Sequence, residues 1–479
     1  MFGVTPSSVG IEEDGETVGL PPELLRQISA DGGSRVVLVV GAGASMQAPT
    51  NLKSGASYSF EAHRKLVADG VLKQDECSDP YDLSALADVV YNKASGSQKE
   101  LTSRLPKDDW RSARPNLGHL LAAALLTEGA LRHVVTLNYD LALQNAFSTL
   151  GNTAGVSFIH GPDDHDRIGA HSVIYLHRSV DQDEETWVLR KSAMESEWVD
   201  GWESIIAGAN LSAPLTVFVG LGSPAQVLTD SVARLAEATQ SSFYLVNPDT
   251  KNDFADALGS NISETVQLYW SDFMSKLAHR VVQEQAVRLQ GAADSLLAED
   301  PALDPGNSAT LIDSMCRMDL LSIGKARARW MQATSEYLAE GDTTRRRYAA
   351  DLALGLGWVV RILDAVDIEF DDRGRATIRD QTAAEVHVGL VHAQGMKTWA
   401  AVSAGLKDAN DSLPPAQRVR HVIVAGLRSM GTFKTDDLIR GDSSEDLIRG
   451  AEHILPFDID EARYDYATEP ALLRERLTK

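Results

Sequence analysis

Short apolar runs alternate with helical patterns through the first 285 residues, and this alternation leaves few folds open to the chain. The run Val36–Val40 consists only of valine and leucine, without the alternating polar residues of a strand that has one solvated face. Continuous runs of this kind are typical of strands buried on both faces of a parallel sheet. The patterns between them predict helices that cover those faces. We therefore predict an α/β fold, a Rossmann-like parallel sheet with helices on both faces.

Further segments share the strand pattern, and most of them end in polar or glycine-rich residues. These segments are 133–137, 156–159, 172–176, 186–190, 215–219, 242–246 and 266–270. The strand ends read GAGAS, NYD, LHRS, GLGSP and NPD. Ligands bind open parallel sheets at the carboxyl ends of the strands. The repeated placement of polar residues therefore predicts a binding site at that edge of the sheet.

The length of the chain, 479 residues, exceeds one ordinary core and predicts two or three domains. Residues 1–20, rich in glycine, serine and acids, are predicted to form a flexible arm, and residues 21–296 the parallel-sheet domain. The proline- and glycine-rich segment 297–309 is the predicted linker. Residues 310–479 are predicted to form a mixed α/β domain that is helical to about 360. A hairpin over 366–380 and strands at 385–393 and 421–427 follow.

Charge and cysteine content exclude several classes of protein. The net charge of −23 disfavours direct nucleic-acid binding and anionic membranes as partners. We find neither a secretory signal nor an apolar stretch of about 20 residues, so a cytoplasmic location is expected. The two cysteines, Cys77 and Cys316, cannot supply a four-cysteine zinc site or a disulfide framework. No metal is therefore expected.

The glycine loop after the first strand is compatible with phosphate binding, because glycines let the backbone approach a pyrophosphate. A dehydrogenase fingerprint would have a third glycine where Met46 stands. Its acidic ribose ligand would end a second strand, whereas Glu61 lies in a helical pattern. A hydride-transfer domain is therefore disfavoured. A tight turn that binds no ligand remains an alternative for this loop.

The order of the five strand-end motifs resembles the sirtuin family, and more closely its bacterial sirtuin-like NADase branch, whose members are often antiphage effectors. The resemblance covers residues 25–285, and it does not extend to the C-terminal domain. It implies that NAD⁺ is the substrate. In the family pattern, Asn138 would position the attacking water, His177 would be the general base, and Asp140 would orient the carboxamide or hold the loop. The nucleotide-binding residues that it implies are Gly41, Ala42, Gly43 and Ser45 at the pyrophosphate, and Gly220, Ser223, Asn247 and Asp249 around the adenosine ribose.

Two departures from the family pattern bear on the activity. The family usually has Leu-His-Gly, whereas here Arg178 replaces the glycine, where it could contact phosphate, lower the histidine pKa or reduce activity. The stretch after GAGAS is only loosely similar to the family's cofactor loop. Family deacylases generally carry a four-cysteine zinc module, which this chain cannot form. We therefore favour hydrolysis over deacylation.

Several other residues have competing interpretations. His160 also ends an apolar run and is a rival to His177 as the base. His119 is predicted to be a packed helix residue, and Trp198 and Trp202 to be core or interface residues. The acidic run formed by Asp367, Glu369, Asp371 and Asp372 is interpreted as a solvated hairpin instead of a cation site. His387 and His392, five apart on a strand with Glu385 nearby, face opposite sides and so argue against one metal site.

With the cysteine count, the resemblance predicts an NAD⁺ glycohydrolase, and the resemblance further implies an abortive-infection antiphage effector that is restrained until triggered. A homo-oligomer is expected, with a protein partner or phage-derived trigger acting through the C-terminal domain, which would sense a signal or drive assembly. Two alternatives remain open: a regulatory module that binds NAD or ADP-ribose without hydrolysis, and a protein deacylase or ADP-ribosyltransferase.

Overall fold

The computed structural model describes ten ranges of the chain, and all structural statements below concern these residues. The ranges are 19–29, 35–150, 156–194, 201–283, 358–370, 375–382, 384–392, 399–425, 455–458 and 468–478. The predicted linker, nearly all of the predicted arm, the helical segment before 358, and Trp198 lie outside them. The domain boundaries therefore stay predictions.

Seven parallel strands form the sheet of the N-terminal half, in the order β3-β4-β2-β1-β5-β6-β7. The strands are Val36–Val40 (β1), Leu131–Thr136 (β2), Ser157–Ile159 (β3), Ser172–Tyr175 (β4), Leu215–Val219 (β5), Ser242–Val246 (β6) and Glu264–Val266 (β7). The chain order reverses direction at β1, which pairs with β2 on one side and β5 on the other. Such a reversal is where parallel sheets bind ligands.

Helices cover both faces of this sheet, as predicted. They are Pro22–Ser29 (α1), Gly55–Ala68 (α2), Leu83–Lys93 (α3), Lys99–Thr102 (α4), Lys107–Arg111 (α5), Leu117–Thr127 (α6), Ala142–Leu150 (α7), Trp202–Leu211 (α8), Gln226–Ala238 (α9), Asp253–Leu258 (α10) and 270–283 (α11). All five residues of β1 are buried. Val36, Leu38 and Val40 point into one apolar core, while Val37 and Val39 point into the other. This explains why the strand has no polar alternation.

The C-terminal part contains a second sheet of five strands in the order β12-β11-β10-β9-β8. These are Ala365–Phe370 (β8), Arg375–Asp380 (β9), Glu385–His392 (β10), His421–Ala425 (β11) and Leu455–Asp458 (β12). The hairpin β8–β9 and the pair β9–β10 are antiparallel, whereas β10, β11 and β12 are parallel. Helices 358–363 (α12), Trp399–Asp411 (α13) and Pro470–Thr478 (α14) complete the described part. The predicted mixed α/β fold is thus confirmed here.

Two strand predictions were wrong. Residues 187–190 form a loop instead of a strand. Trp187 and Leu189 pack into one core and Val188 into the other, as in a buried strand, but the Val188 amide donates to the turn residue His177 and the Leu189 amide to Trp187 O instead of to a neighbouring strand. The last strand, β7, ends at Val266, where the predicted segment 266–270 begins. Trp270 instead begins α11, where its indole lies so close to Gly118 that a Cβ there would be 2.2 Å from the indole nitrogen.

Candidate active site

The glycine loop after β1 lies directly against the loop after β5. The amide of Gly43 donates to the carbonyl of Gly220 at 2.9 Å, and the amide of Gly41 donates to Val219 O at 2.8 Å. A Cβ on Gly43 would lie 2.8 Å from the Cα of Gly220. Gly220 itself has a φ of +68°, and a Cβ there would meet the Ala44 nitrogen at 2.6 Å. The glycines therefore allow two strand-end loops to interlock at the centre of the sheet.

A hydrogen-bonded cluster joins the loops after β1 and β2. The Ser45 hydroxyl donates to Asp140 Oδ2 at 2.9 Å. The Asn138 amide donates to the Gly41 carbonyl at 3.2 Å and to Ser45 Oγ at 3.3 Å. We call Ser45, Asn138 and Asp140 the polar node. Both amide hydrogens of Asn138 are directed at protein acceptors, so its carbonyl oxygen is the atom that can hold a water.

Asp140 is the buried carboxylate of the polar node. Its Oδ1 accepts the Ala142 amide at 3.0 Å at the start of α7, and its other oxygen accepts from Ser45. Burial raises the pKa of this carboxyl, while the hydrogen bonds oppose the rise. Asp140 thus connects the node to the start of α7, and its expected role, orienting the carboxamide or holding the loop, stays a prediction.

The glycine loop does not run directly into an α-helix. Residues Ala42–Ser45 form one short 3₁₀ turn, and α2 begins only at Gly55. Two residues that the sequence analysis missed hold the loop instead. The Asn116 amide donates to Ala44 O at 2.8 Å, and Gln47 Oε1 accepts the Ser271 amide at 3.0 Å. Asn116, an N-cap residue before an apolar helix, carried a recognisable signal, but Gln47 had none.

His177 follows β4, which lies next to β2. Backbone bonds join the two strand ends, since the amides of Leu176 and Val180 donate to Thr136 O and Tyr139 O, both at 2.9 Å. The imidazole lies 6.2 Å from the Tyr139 ring, between centroids. Burial, and then the charge of Arg178, lower the pKa of His177 to about 3. The ring is thus neutral at physiological pH and can accept a proton.

Arg178 has a left-handed backbone, with a φ of +79°. Glycine adopts this region readily, whereas a residue with a Cβ rarely does. The guanidinium forms a 2.7 Å ion pair with Glu203 and lies 5.4 Å from the centroid of the Trp202 ring. Both partners belong to α8. Trp202 therefore packs at the candidate site, and Glu203 is a residue that sequence reasoning did not find.

His160 follows β3, one strand farther from the glycine loop than His177. Its Nδ1 is 2.9 Å from the Ser179 hydroxyl, and its ring stacks on Tyr175 at 4.9 Å. Burial lowers its pKa. The rival base therefore follows a strand two positions from β2, whereas His177 follows β4, the strand next to β2.

The predicted adenosine-side residues follow β5 and β6. Gly220 lies in the interlocked loop, and Ser223 is exposed after it. Asn247 is buried, and its Oδ1 accepts the amide of exposed Asp249 at 2.8 Å. The structure brings these positions to the same edge of the sheet as the polar node, on the opposite side of β1 from His177.

The other titratable residues have structural partners. His119 completes a capping box with Asn116 at the start of α6, as its packed interpretation predicts, and burial lowers its pKa to about 3. Asp367 and Glu369 pair with Arg379, and His387 Nδ1 lies 2.9 Å from Thr377 Oγ1. Asp371 and Asp372 lie outside the described residues, as do the side-chain surroundings of His392.

Within the part of the chain that the structure describes, no cluster of three or more potential metal ligands occurs. Among the same residues, no helix has the length and apolar character needed to cross a membrane.

Comparison with known proteins finds similarity among solved structures. No protein-family model and no curated protein matches the chain. A Sir2 homologue–NAD complex is 15% identical with a TM-score of 0.33, the match covering 55% of this chain and 95% of that one. Sir2 bound to an inhibitor, 2′-O-acetyl-ADP-ribose and a deacetylated peptide is 16% identical, with a TM-score of 0.31 and coverages of 55% and 97%. The likeness is one of fold, a parallel sheet between two layers of helices.

Proposed function

We propose that this protein is an NAD⁺ glycohydrolase, which cleaves NAD⁺ into ADP-ribose and nicotinamide. One observation carries the proposal: the loops after β1 and β2 meet in the polar node of Ser45, Asn138 and Asp140, and His177 follows the adjacent strand. The node lies where the strand order reverses, which is the place where parallel sheets bind nucleotides.

The chemistry requires few groups. Nicotinamide leaves as a neutral base, and the ribose develops oxocarbenium character, as in glycoside hydrolysis. The Asn138 carbonyl oxygen would hold water near the ribose, and neutral His177 would accept the proton. Backbone amides of the loop 41–45, with Gly220, Ser223, Asn247 and Asp249, would bind the rest of the nucleotide.

The biological part of the proposal rests on the order of the sequence motifs. We propose that the full chain depletes NAD⁺ as an antiphage effector and is restrained until a protein or phage-derived trigger acts through the C-terminal domain. Uncontrolled hydrolysis of NAD⁺ would be toxic, so a restraint such as assembly into a homo-oligomer is expected. With only Cys77 and Cys316, a four-cysteine zinc module is impossible, which favours water over an acyl-lysine oxygen as the nucleophile.

The experiment that tests the activity measures nicotinamide release by purified protein and NAD⁺ loss in phage-infected cells that produce it. We expect Asn138→Ala and His177→Ala each to lower the rate about 100-fold or more, because they remove the water-holding and proton-accepting groups. His160→Ala is the matched control, since it removes a strand-end histidine from the neighbouring strand β3. Full activity of the Asn138→Ala/His177→Ala double variant would contradict the proposal.

A second candidate function is favoured by the low pKa of His177, which makes it a weak base. The protein would then bind NAD or ADP-ribose as a regulatory module without cleaving it. In that case ADP-ribose raises the thermal midpoint by mass action, while neither infected cells nor purified protein release nicotinamide.

A further inference from the structure

A buried ion pair lies beside His177 and has no part in the proposed chemistry. The side chains of Arg178 and Glu203 are only 12% and 7% exposed, and their charged atoms are 2.7 Å apart. Removing two charges from water is costly, so a buried pair is weak evidence of stabilisation. Because the pair lies next to the proposed base, we ask whether it positions His177.

The path of the Arg178 side chain shows what the pair connects. The Arg178 side chain passes so close to Gly161 that a Cβ on Gly161 would lie 3.0 Å from Arg178 Cδ. The guanidinium then reaches Trp202 and Glu203 in the first turn of α8. The Trp202 indole continues the connection by donating to His165 Nδ1 at 3.2 Å. Two separate segments, the one after β3 and the first turn of α8, thus meet at Arg178.

The backbone of Arg178 explains why this contact reaches His177. A non-glycine residue at a φ of +79° is held in a sparsely populated conformation, which the surrounding contacts must maintain. The Arg178 amide donates to Tyr175 O at 3.2 Å, and its Nη1 donates to Leu176 O at 3.3 Å. His177 lies within this turn, so anchoring the guanidinium also fixes the peptide that carries the imidazole.

We propose that Arg178, Trp202 and Glu203 form a clamp that positions His177, with Glu203 as the anchor on α8. Glu203 also balances the charge of Arg178 and holds the guanidinium against α8. The guanidinium therefore stabilises the turn that carries His177 and does not bind the substrate phosphates. This inference rests on the proposed function for its catalytic meaning, whereas its structural content concerns the protein alone.

The test compares Glu203→Gln, Arg178→Gly and the double variant with the wild type in the full-length protein. The control is Glu100→Gln, which removes an exposed carboxylate from its ion pair with Arg104 in the same half of the chain. Two readouts are measured: amide hydrogen exchange of the segment 174–181, and kcat and KM for nicotinamide release. The His177 pKa, followed by NMR with labelled histidine, is a third readout.

For Glu203→Gln we expect exchange of 174–181 at least about tenfold faster, and a kcat about tenfold lower with little change in KM, since misplacement of a reacting group costs rate more than binding. Arg178→Gly should raise the His177 pKa, because a neighbouring positive charge is lost. The loss of kcat in the double variant should be smaller than the losses of the two single variants combined, because the double variant leaves no buried charge without its partner.

The outcomes separate the two proposals. Unchanged exchange of 174–181 and an unchanged His177 pKa in all three variants would overturn the clamp, whether or not the protein is active. Faster exchange in Glu203→Gln, in a protein that never releases nicotinamide, would support the clamp and contradict the glycohydrolase. Equal losses in kcat and thermal stability for the Glu100→Gln control would show a general structural effect and also overturn the clamp.

Discussion

Both sheets of this protein have aspartates that bond to other side chains, but the aspartates lie in different places. In the parallel sheet, Ser45, Asn138 and Asp140 lie beyond the strand ends and bond to one another across loops. In the C-terminal sheet, Asp367, Glu369 and Arg379 lie within strands and pair across the hairpin on a partly exposed face. Position relative to a strand end, more than residue type, therefore marks the candidate site.

The interlocked glycine loops give the largest expected effect. Gly220→Ala places a Cβ 2.6 Å from the Ala44 nitrogen at a φ of +68°, so we expect it to destabilise the parallel-sheet half by about 3 kcal/mol. Urea unfolding followed by intrinsic fluorescence measures the loss. Gly222→Ala is the matched control: nothing lies within 4 Å of a Cβ there, and its φ lies outside the left-handed range. Equal losses in both variants would contradict the interlock.

Buried histidines should make the parallel-sheet half sensitive to acid. The folded-state pKa of His119 is about 3 and that of His133 about 4, both below the ordinary 6.5 and both lowered first by burial. Their stabilising effect is therefore complete above pH 6.5 and is lost as the pH falls toward those values. His119→Gln keeps a capping-box partner for Asn116 but cannot titrate. It should flatten the dependence of the free energy of unfolding on pH by up to about 1.4 kcal/mol per pH unit. Thermal unfolding across the pH range measures this, and an unchanged dependence would contradict it.

The pH dependence of catalysis should separate His177 from an ordinary histidine. Because its pKa in the free protein is about 3, kcat/KM for nicotinamide release should not fall at pH 5.5, where a base of pKa 6.5 would lose about tenfold. In the Arg178→Gly variant, the fall of kcat/KM at low pH should begin at a higher pH. An acid limb near 6.5 in the wild type, lost in His160→Ala, would assign the base to His160 instead.

The charge network of the C-terminal sheet gives the smallest expected effect. Arg379 binds the carboxylates of Asp367, Glu369 and Glu385, and all four side chains are at least 31% exposed. Exposed pairs contribute little, so Arg379→Met should cost about 1 kcal/mol, less at high salt, and leave nicotinamide release unchanged. If Arg379→Met lowered the rate of nicotinamide release as much as Asn138→Ala does, the C-terminal sheet would take part in catalysis. That result would contradict the difference drawn between the two sheets.

Much of the fold was predictable because buried parallel strands have continuous apolar runs. The run Val36–Val40 predicted β1. The polar residues at the strand ends around Asn138 and His177 predicted that both side chains lie at the carboxyl edge of the sheet. Residues 187–190 were predicted wrongly, because a loop that packs between two cores has the same apolar content as a strand.

Other parts of the candidate site could not be predicted from the sequence. Glu203 is 25 residues from Arg178, and no local pattern connects an α8 carboxylate to a strand-end arginine. The left-handed φ of Arg178 was equally hidden, because its residue type disfavours that conformation. Gln47 acts through a helix N-terminus more than 200 residues away. Contacts of this kind depend on tertiary structure instead of sequence periodicity.

The most direct test of the central claim is product analysis of NAD⁺ cleavage in heavy-oxygen water by the triggered full-length protein. Water held by Asn138 and deprotonated by His177 should give nicotinamide and ADP-ribose in equal amounts, with one heavy oxygen on the ribose carbon that carried nicotinamide. ADP-ribose attached to a protein acceptor, acylated ADP-ribose, or intact NAD⁺ under every condition would contradict the account.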